Sequence, residues 1–130
     1  MKDDNVFKAA GALTGGIGGQ LDACGSLLGA SLMFGAVMGR GISEPTDNEK
    51  LGESITMAAQ IYKWFEKEFG SATCKDIRTK FGGGVLYDTH IPWQAELAKA
   101  AHIHEQCTEM VGKAASRAAE MFWDAQHKTK

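Results

Sequence analysis

The sequence is poor in the features that usually assign a chain quickly. It holds 3 cysteines and 2 prolines in 130 residues. Cys24, Cys74 and Cys107 are odd in number and far apart, which argues against a small secreted fold stapled by disulfides. No C-x-x-C or C-x-x-C-H occurs, and no paired Cys/His finger spacing, so thioredoxin-type and covalent-haem motifs are excluded. Charge of either sign is also scarce as a signal. With 14 Lys and Arg against 16 Asp and Glu, the net charge is −2 and no basic block forms, so no nucleic-acid partner is expected. The longest uncharged run, Ala23–Gly39, has 17 residues and is glycine-rich. That is short of the roughly 20 needed to span a bilayer, so a buried helix and no membrane insertion are expected. The first residues, MKDDNVF, carry acid where a signal peptide carries positive charge, and a cytoplasmic location follows as the expectation, with free thiols.

What is present is an ordinary hydrophobic content of 44% and one organising stretch, GALTGGIGGQLDACGSLLGASLMFGAVMG at 11–39. It opens as a glycine loop and closes as an apolar run of small residues, with Asp22 its only charge. Each interior glycine costs about 1 kcal/mol relative to Ala in a helix, so this helix needs neighbours to hold it and is expected to be central. Small residues at Gly25, Gly29, Ser31, Gly35 and Gly39 suit close approach by another backbone. Asp22 is the expected N-cap. The glycine run lacks a following Lys-Ser or Lys-Thr and a preceding strand, so it reads as a turn and not a phosphate loop.

Around it the pattern is helical. Asp3–Leu13 fits a short helix that is unstable unless docked. Thr46 and Glu49 have the spacing of a capping box. Leu51, Ile55, Ala58, Tyr62, Phe65 and Phe69 then mark one apolar face of a long helix that Gly70 ends. Thr73 with Asp76 starts a second, stopped at Gly82-Gly83-Gly84. Residues 85–92 (VLYDTHIP) look strand-like but have no partner and are expected to be loop. Pro92 suits the first turn of a new helix, and a periodic face runs from Trp93 to Ala125 with no clear stop. The expected fold is all-α: one domain over residues 1–130, a compact bundle of five or six helices around the glycine-rich one.

The cysteines are the most specific chemical feature. Cys24 and Cys74 each follow an expected N-cap, where the helix dipole favours thiolate, the form that binds metal and attacks disulfides. Each cysteine also has an ordinary reading as a small buried hydrophobe. His104 and Cys107 are three apart, so on a helix they share a face and could hold one metal, or His104 could lie at the core edge. Asp88 and His90, with Tyr87 and Trp93, could line a pocket or form a packed turn.

The order and wording of three segments resemble a known family. GGIGG before CGSLLGA looks like the CGAxxG segment of the C_GCAxxG_C_C family, with Ser26 where that family usually has Ala. FEKEFGSATCKDI at 65–77 resembles its second signature, and His104-Glu105-Gln106-Cys107 with the Ala-rich end its third. The resemblance runs from Gly15 to Phe122 and implies a redox or metal-binding role with no reaction assigned. It also implies a helix start near His104, hence a break near 101–103, although Thr108 stands where many relatives have Pro. The family carries a fourth cysteine in a helix ahead of the glycine loop; that helix is expected to be missing here. Three readings follow in rank order. In the first, Cys24, Cys74 and Cys107 bind an iron–sulfur cluster or Zn²⁺, with His104 replacing the fourth ligand and electron transfer as the role if iron is bound. In the second the same thiols exchange disulfides without metal, with a redox partner protein. In the third the chain is a helical module that docks or forms a homodimer, with Trp64 and Trp123 marking its surface.

Overall fold

The computed structural model describes residues 2–128, and all regular structure among them is helical. Six helices follow one another: α1 Asp4–Gly11, α2 Gly25–Met38, α3 Asn48–Phe69, α4 Cys74–Phe81, α5 Pro92–Ala100 and α6 Ile103–Gln126. The glycine-rich α2 packs against α1, α3 and α6, so it is central as expected. It shares that place with α6, which touches α2, α3, α4 and α5. The core is the seam between them. Leu27, Ala30 and Phe34 of α2 meet Met57, Ile61 and Phe65 of α3 and Met110, Ala114, Ala118 and Met121 of α6.

The helix ends are set by local chemistry. The Asp3 carboxylate accepts from the backbone N–H groups of Asn5 and Val6 and caps α1. Gly70 adopts the left-handed conformation at φ 82° and ends α3, as its position predicts. Thr73 Oγ1 accepts the Asp76 N–H and caps α4. Pro92 opens α5. The long C-terminal periodic segment does break: α5 stops at Ala100, His102 turns left-handed at φ 54°, and α6 begins at Ile103. Residues 85–91 are loop.

Several expectations are corrected. Capping of α3 falls to Asp47, one residue after Thr46, because its carboxylate accepts the Lys50 N–H at 3.0 Å. The buried face of α3 is also rotated: Met57, Ile61 and Phe65 are inside, while Ile55 and Tyr62 are 57% and 45% exposed. A helix with apolar residues on more than one side gives overlapping stripes, and packing against α2 selects one. Trp64 is not a free surface residue, since it packs edge-on to Phe69 against the core. The small residues of α2 are used less than expected. Only Gly25 meets a backbone from outside its helix, the Leu13 carbonyl, whereas Gly29 and Gly35 face open space.

Asp22 is not the cap of α2. It lies in a short extended segment where Ala23 pairs antiparallel with Thr73, and Cys24 itself is the N-cap. The glycine loop delivers the chain there. Residues 15 to 19 all have positive φ, Ile17 among them, so the chain makes a left-handed turn that glycine tolerates and other residues resist by roughly 1–2 kcal/mol each. A Cβ on Gly16 would lie 2.6 Å from the Asp22 backbone nitrogen. The turn and the extended segment are therefore in backbone contact.

Candidate functional site

The Ala23–Thr73 pairing positions two of the cysteines. The Cys24 N–H donates to the Ala72 carbonyl at 2.8 Å, and the Cys74 N–H donates to the Asp22 carbonyl at 2.7 Å. In this pattern Ala23 and Thr73 project to one side of the paired segments, and the residues that follow each, Cys24 and Cys74, project to the other. The two cysteines are diagonal neighbours, a relation that in regular sheet puts the residues about 7–8 Å apart. Both chains then turn directly into helix.

Cys107 arrives from the third direction. It is the fifth residue of α6, one turn inside and not at the helix start. The Gln106 amide holds that turn, donating to the Phe81 carbonyl at the end of α4 (3.2 Å) and to the Ala101 carbonyl in the α5–α6 elbow (3.0 Å). Cys24, Cys74, Cys107 and His104 all line one open cavity of about 1000 Å³. Its remaining walls come from α1, the glycine loop and α5, and they are largely apolar. All three cysteines are free thiols; Cys24 is buried and the other two half-buried.

The electrostatics run against the expectation of lowered thiol pKa values at helix starts. Burial raises Cys74, with Arg78 pulling the other way and the Cys24 sulfur adding to the rise. Burial likewise raises Cys107, helped by the nearby Cys74 and opposed by Arg78. The geometry supplies a reason at Cys74. Its own N–H and that of Lys75 are taken by the Asp22 and Leu21 carbonyls, and that of Asp76 by Thr73. Little free positive end remains at α4 to attract an anion. Arg78, one turn after Cys74 on the same face, is the residue that offsets desolvation. At Cys24 the neighbour is Ser26, whose Oγ lies 3.1 Å from the sulfur. In the sequence Ser26 stands out only as a departure from Ala; the geometry of the turn makes it the hydrogen-bond partner of Cys24.

The metal set expected from the sequence is not assembled. Cys24, Cys74, Cys107 and His104 share a cavity, yet among the described residues no three His, Cys, Asp or Glu side chains are grouped so as to hold a metal ion. The donor set as placed does not fit an iron–sulfur cluster or Zn²⁺. The other loop group stands apart. His90 and Asp88 pair with each other at 3.2 Å in solvent, and their loop contributes Thr89 to the cavity wall. His102, off the Cys107 face as expected, is the exposed elbow residue. No helix is long and apolar enough to cross a membrane among the residues described.

An all-helical protein with three free thiols around one cavity is the class that fold and site define. Within it, the chain belongs to the C_GCAxxG_C_C family, whose model matches residues 1–121 and is described as "Putative redox-active protein (C_GCAxxG_C_C)". The match takes in α1, ahead of the glycine loop, a helix without cysteine. None of the curated proteins and none of the solved structures matches the chain.

Proposed function

We propose that the protein is a metal-free thiol–disulfide redox protein in which two of Cys24, Cys74 and Cys107, one attacking and one resolving, close a disulfide. The observation that carries this reading is the common cavity: three free thiols, distant in sequence, open onto one space that also reaches solvent. A thiolate attacks one sulfur of an incoming disulfide, forming a mixed disulfide and releasing the other sulfur as a thiolate. A second protein thiol, giving up its proton, then attacks the protein sulfur of that mixed disulfide. A protein disulfide forms and the second partner thiol leaves. Two protein thiols are oxidised and one partner disulfide is reduced to two thiols. The reverse direction reduces the protein and oxidises the partner. The natural partner in this reading is a redox protein presenting a dithiol or disulfide.

This reverses the order in which the sequence ranks metal and thiol chemistry, because among the described residues the donors are not grouped for a metal. Alkylation mass spectrometry tests it. Protein equilibrated with excess oxidised and reduced dithiothreitol should show one alkylated and three alkylated thiols respectively, the oxidised form two hydrogens lighter before alkylation. Three alkylatable thiols in both forms, or near-stoichiometric iron or zinc in anaerobically purified protein, overturn the reading.

A further inference from the structure

We infer that the thiol cavity selects small organic disulfides that carry an anionic group on an apolar body, and that Arg78 holds the anion. This deepens the thiol–disulfide reading and rests on it.

The cavity is larger than the three sulfurs need. At about 1000 Å³ it lies at the upper end of the sizes that enclose drug-sized ligands. Its walls are mainly small apolar side chains, including Ala10, Ala95 and Ala98, with Val111 one turn beyond Cys107. Such a surface takes an apolar body and gives it no orientation. The charged groups supply that. Arg78 and Lys99 face the cavity against a single carboxylate, Glu105, in a protein whose net charge is −2. Lys99 is engaged by Glu96 at 3.1 Å. Arg78 is different, since among the described residues no carboxylate lies within ion-pair distance of it, and its side chain is half-buried. A half-buried guanidinium lining the cavity keeps donors open to a ligand there, and a carboxylate or phosphate matches its fork.

Its placement fits a role in selection. Arg78 follows Cys74 by four residues on α4, so guanidinium and sulfur share a face. An anion held there puts the rest of a small molecule among the three thiols. The step is the one given above with the small disulfide as oxidant: two protein thiols are oxidised, and its one sulfur–sulfur bond is reduced to two thiols.

The probes are dithiobis(nitrobenzoate), an aromatic disulfide with two carboxylates, and dipyridyl disulfide, which is neutral. Rate constants for both are measured on wild type, Arg78→Gln and Arg78→Lys, each divided by the rate with free N-acetylcysteine. Loss of Arg78 also weakens both neighbouring thiolates, which slows both probes, so the ratio between probes is the readout. Arg78→Gln should lower the anionic-to-neutral ratio about tenfold, the scale of one partly buried charge contact, and Arg78→Lys should keep it within about threefold. An unchanged ratio in Arg78→Gln overturns the proposal. The stoichiometry separates this from the parent reading. If a protein disulfide forms in mass spectra but the ratio ignores Arg78, selection fails and redox chemistry stands. If the ratio responds but only mixed disulfides accumulate, selection stands as binding and disulfide closure fails.

Discussion

The two ends of this molecule are held together by different means. Along the seam of α2, α3 and α6 the forces are those of any helical core: Phe34, Ile61 and Phe65 are fully buried, and their neighbours are apolar. At the cysteine end the core continues through Cys24, Ala72 and Ile77, but backbone geometry sets where the thiols lie. A left-handed glycine turn, one antiparallel bridge and a left-handed His102 elbow fix the backbone, and side chains face a cavity. The first region supplies stability that does not depend on any one angle. The second supplies position, and depends on several.

That contrast can be broken by experiment. The largest effect belongs to the seam: Phe65→Ala should cost about 3–5 kcal/mol in a urea unfolding curve, while native-state alkylation rates of the three thiols stay within about twofold. Should those rates change tenfold, the two ends are not separable. Next comes Gly16→Ala. It places a Cβ at a positive φ and within 2.6 Å of the Asp22 nitrogen, so the paired segment must shift. A loss of about 2–3 kcal/mol is expected, smaller than for Phe65, but here the alkylation rates of Cys24 and Cys74 should change. The same substitution at Gly18, where a Cβ meets open space, should leave those rates alone.

The smallest effect is in pH. Burial raises Cys74 and Cys107 above the ordinary thiol value. A group raised on folding gives stability that is complete below the unfolded pKa, about 8.5 for a thiol, and that is lost as pH climbs through the folded value. Urea midpoints should therefore fall on the alkaline side of about pH 8.5, and Cys74→Ser or Cys107→Ser should flatten the fall. A midpoint that rises there would mean that the thiols are stabilised as anions.

Sequence could reach whatever depends on neighbours in the chain. Gly70, Thr73 and Pro92 are local signals and mark true helix ends. The break before Ile103 has no such residue, and only the family resemblance located it. Asp22 misled because the bridge to Thr73, fifty residues on, competes with capping and wins. Thr46 and Asp47 are both good caps, and spacing does not separate them. The rotated face of α3 depends on which side α2 approaches. For the site, the three cysteines were legible from type and spacing. The cavity was not, because its walls come from five helices and no segment encodes it alone. The raised thiol pKa values were hidden for the same reason: desolvation is a property of the assembled walls.

The pairing beside Cys24 and Cys74 works as a rivet. Hydrogen bonds from the amides of Cys24, Cys74 and Lys75 fasten the starts of α2 and α4 to each other. The spacing of the two sulfurs is thus set by main-chain atoms, with side-chain rotation as the only slack. If those two sulfurs are the pair that closes, the covalent bond would tug on both helix starts at once, and the exchange of these three amide protons with deuterated solvent should change on oxidation.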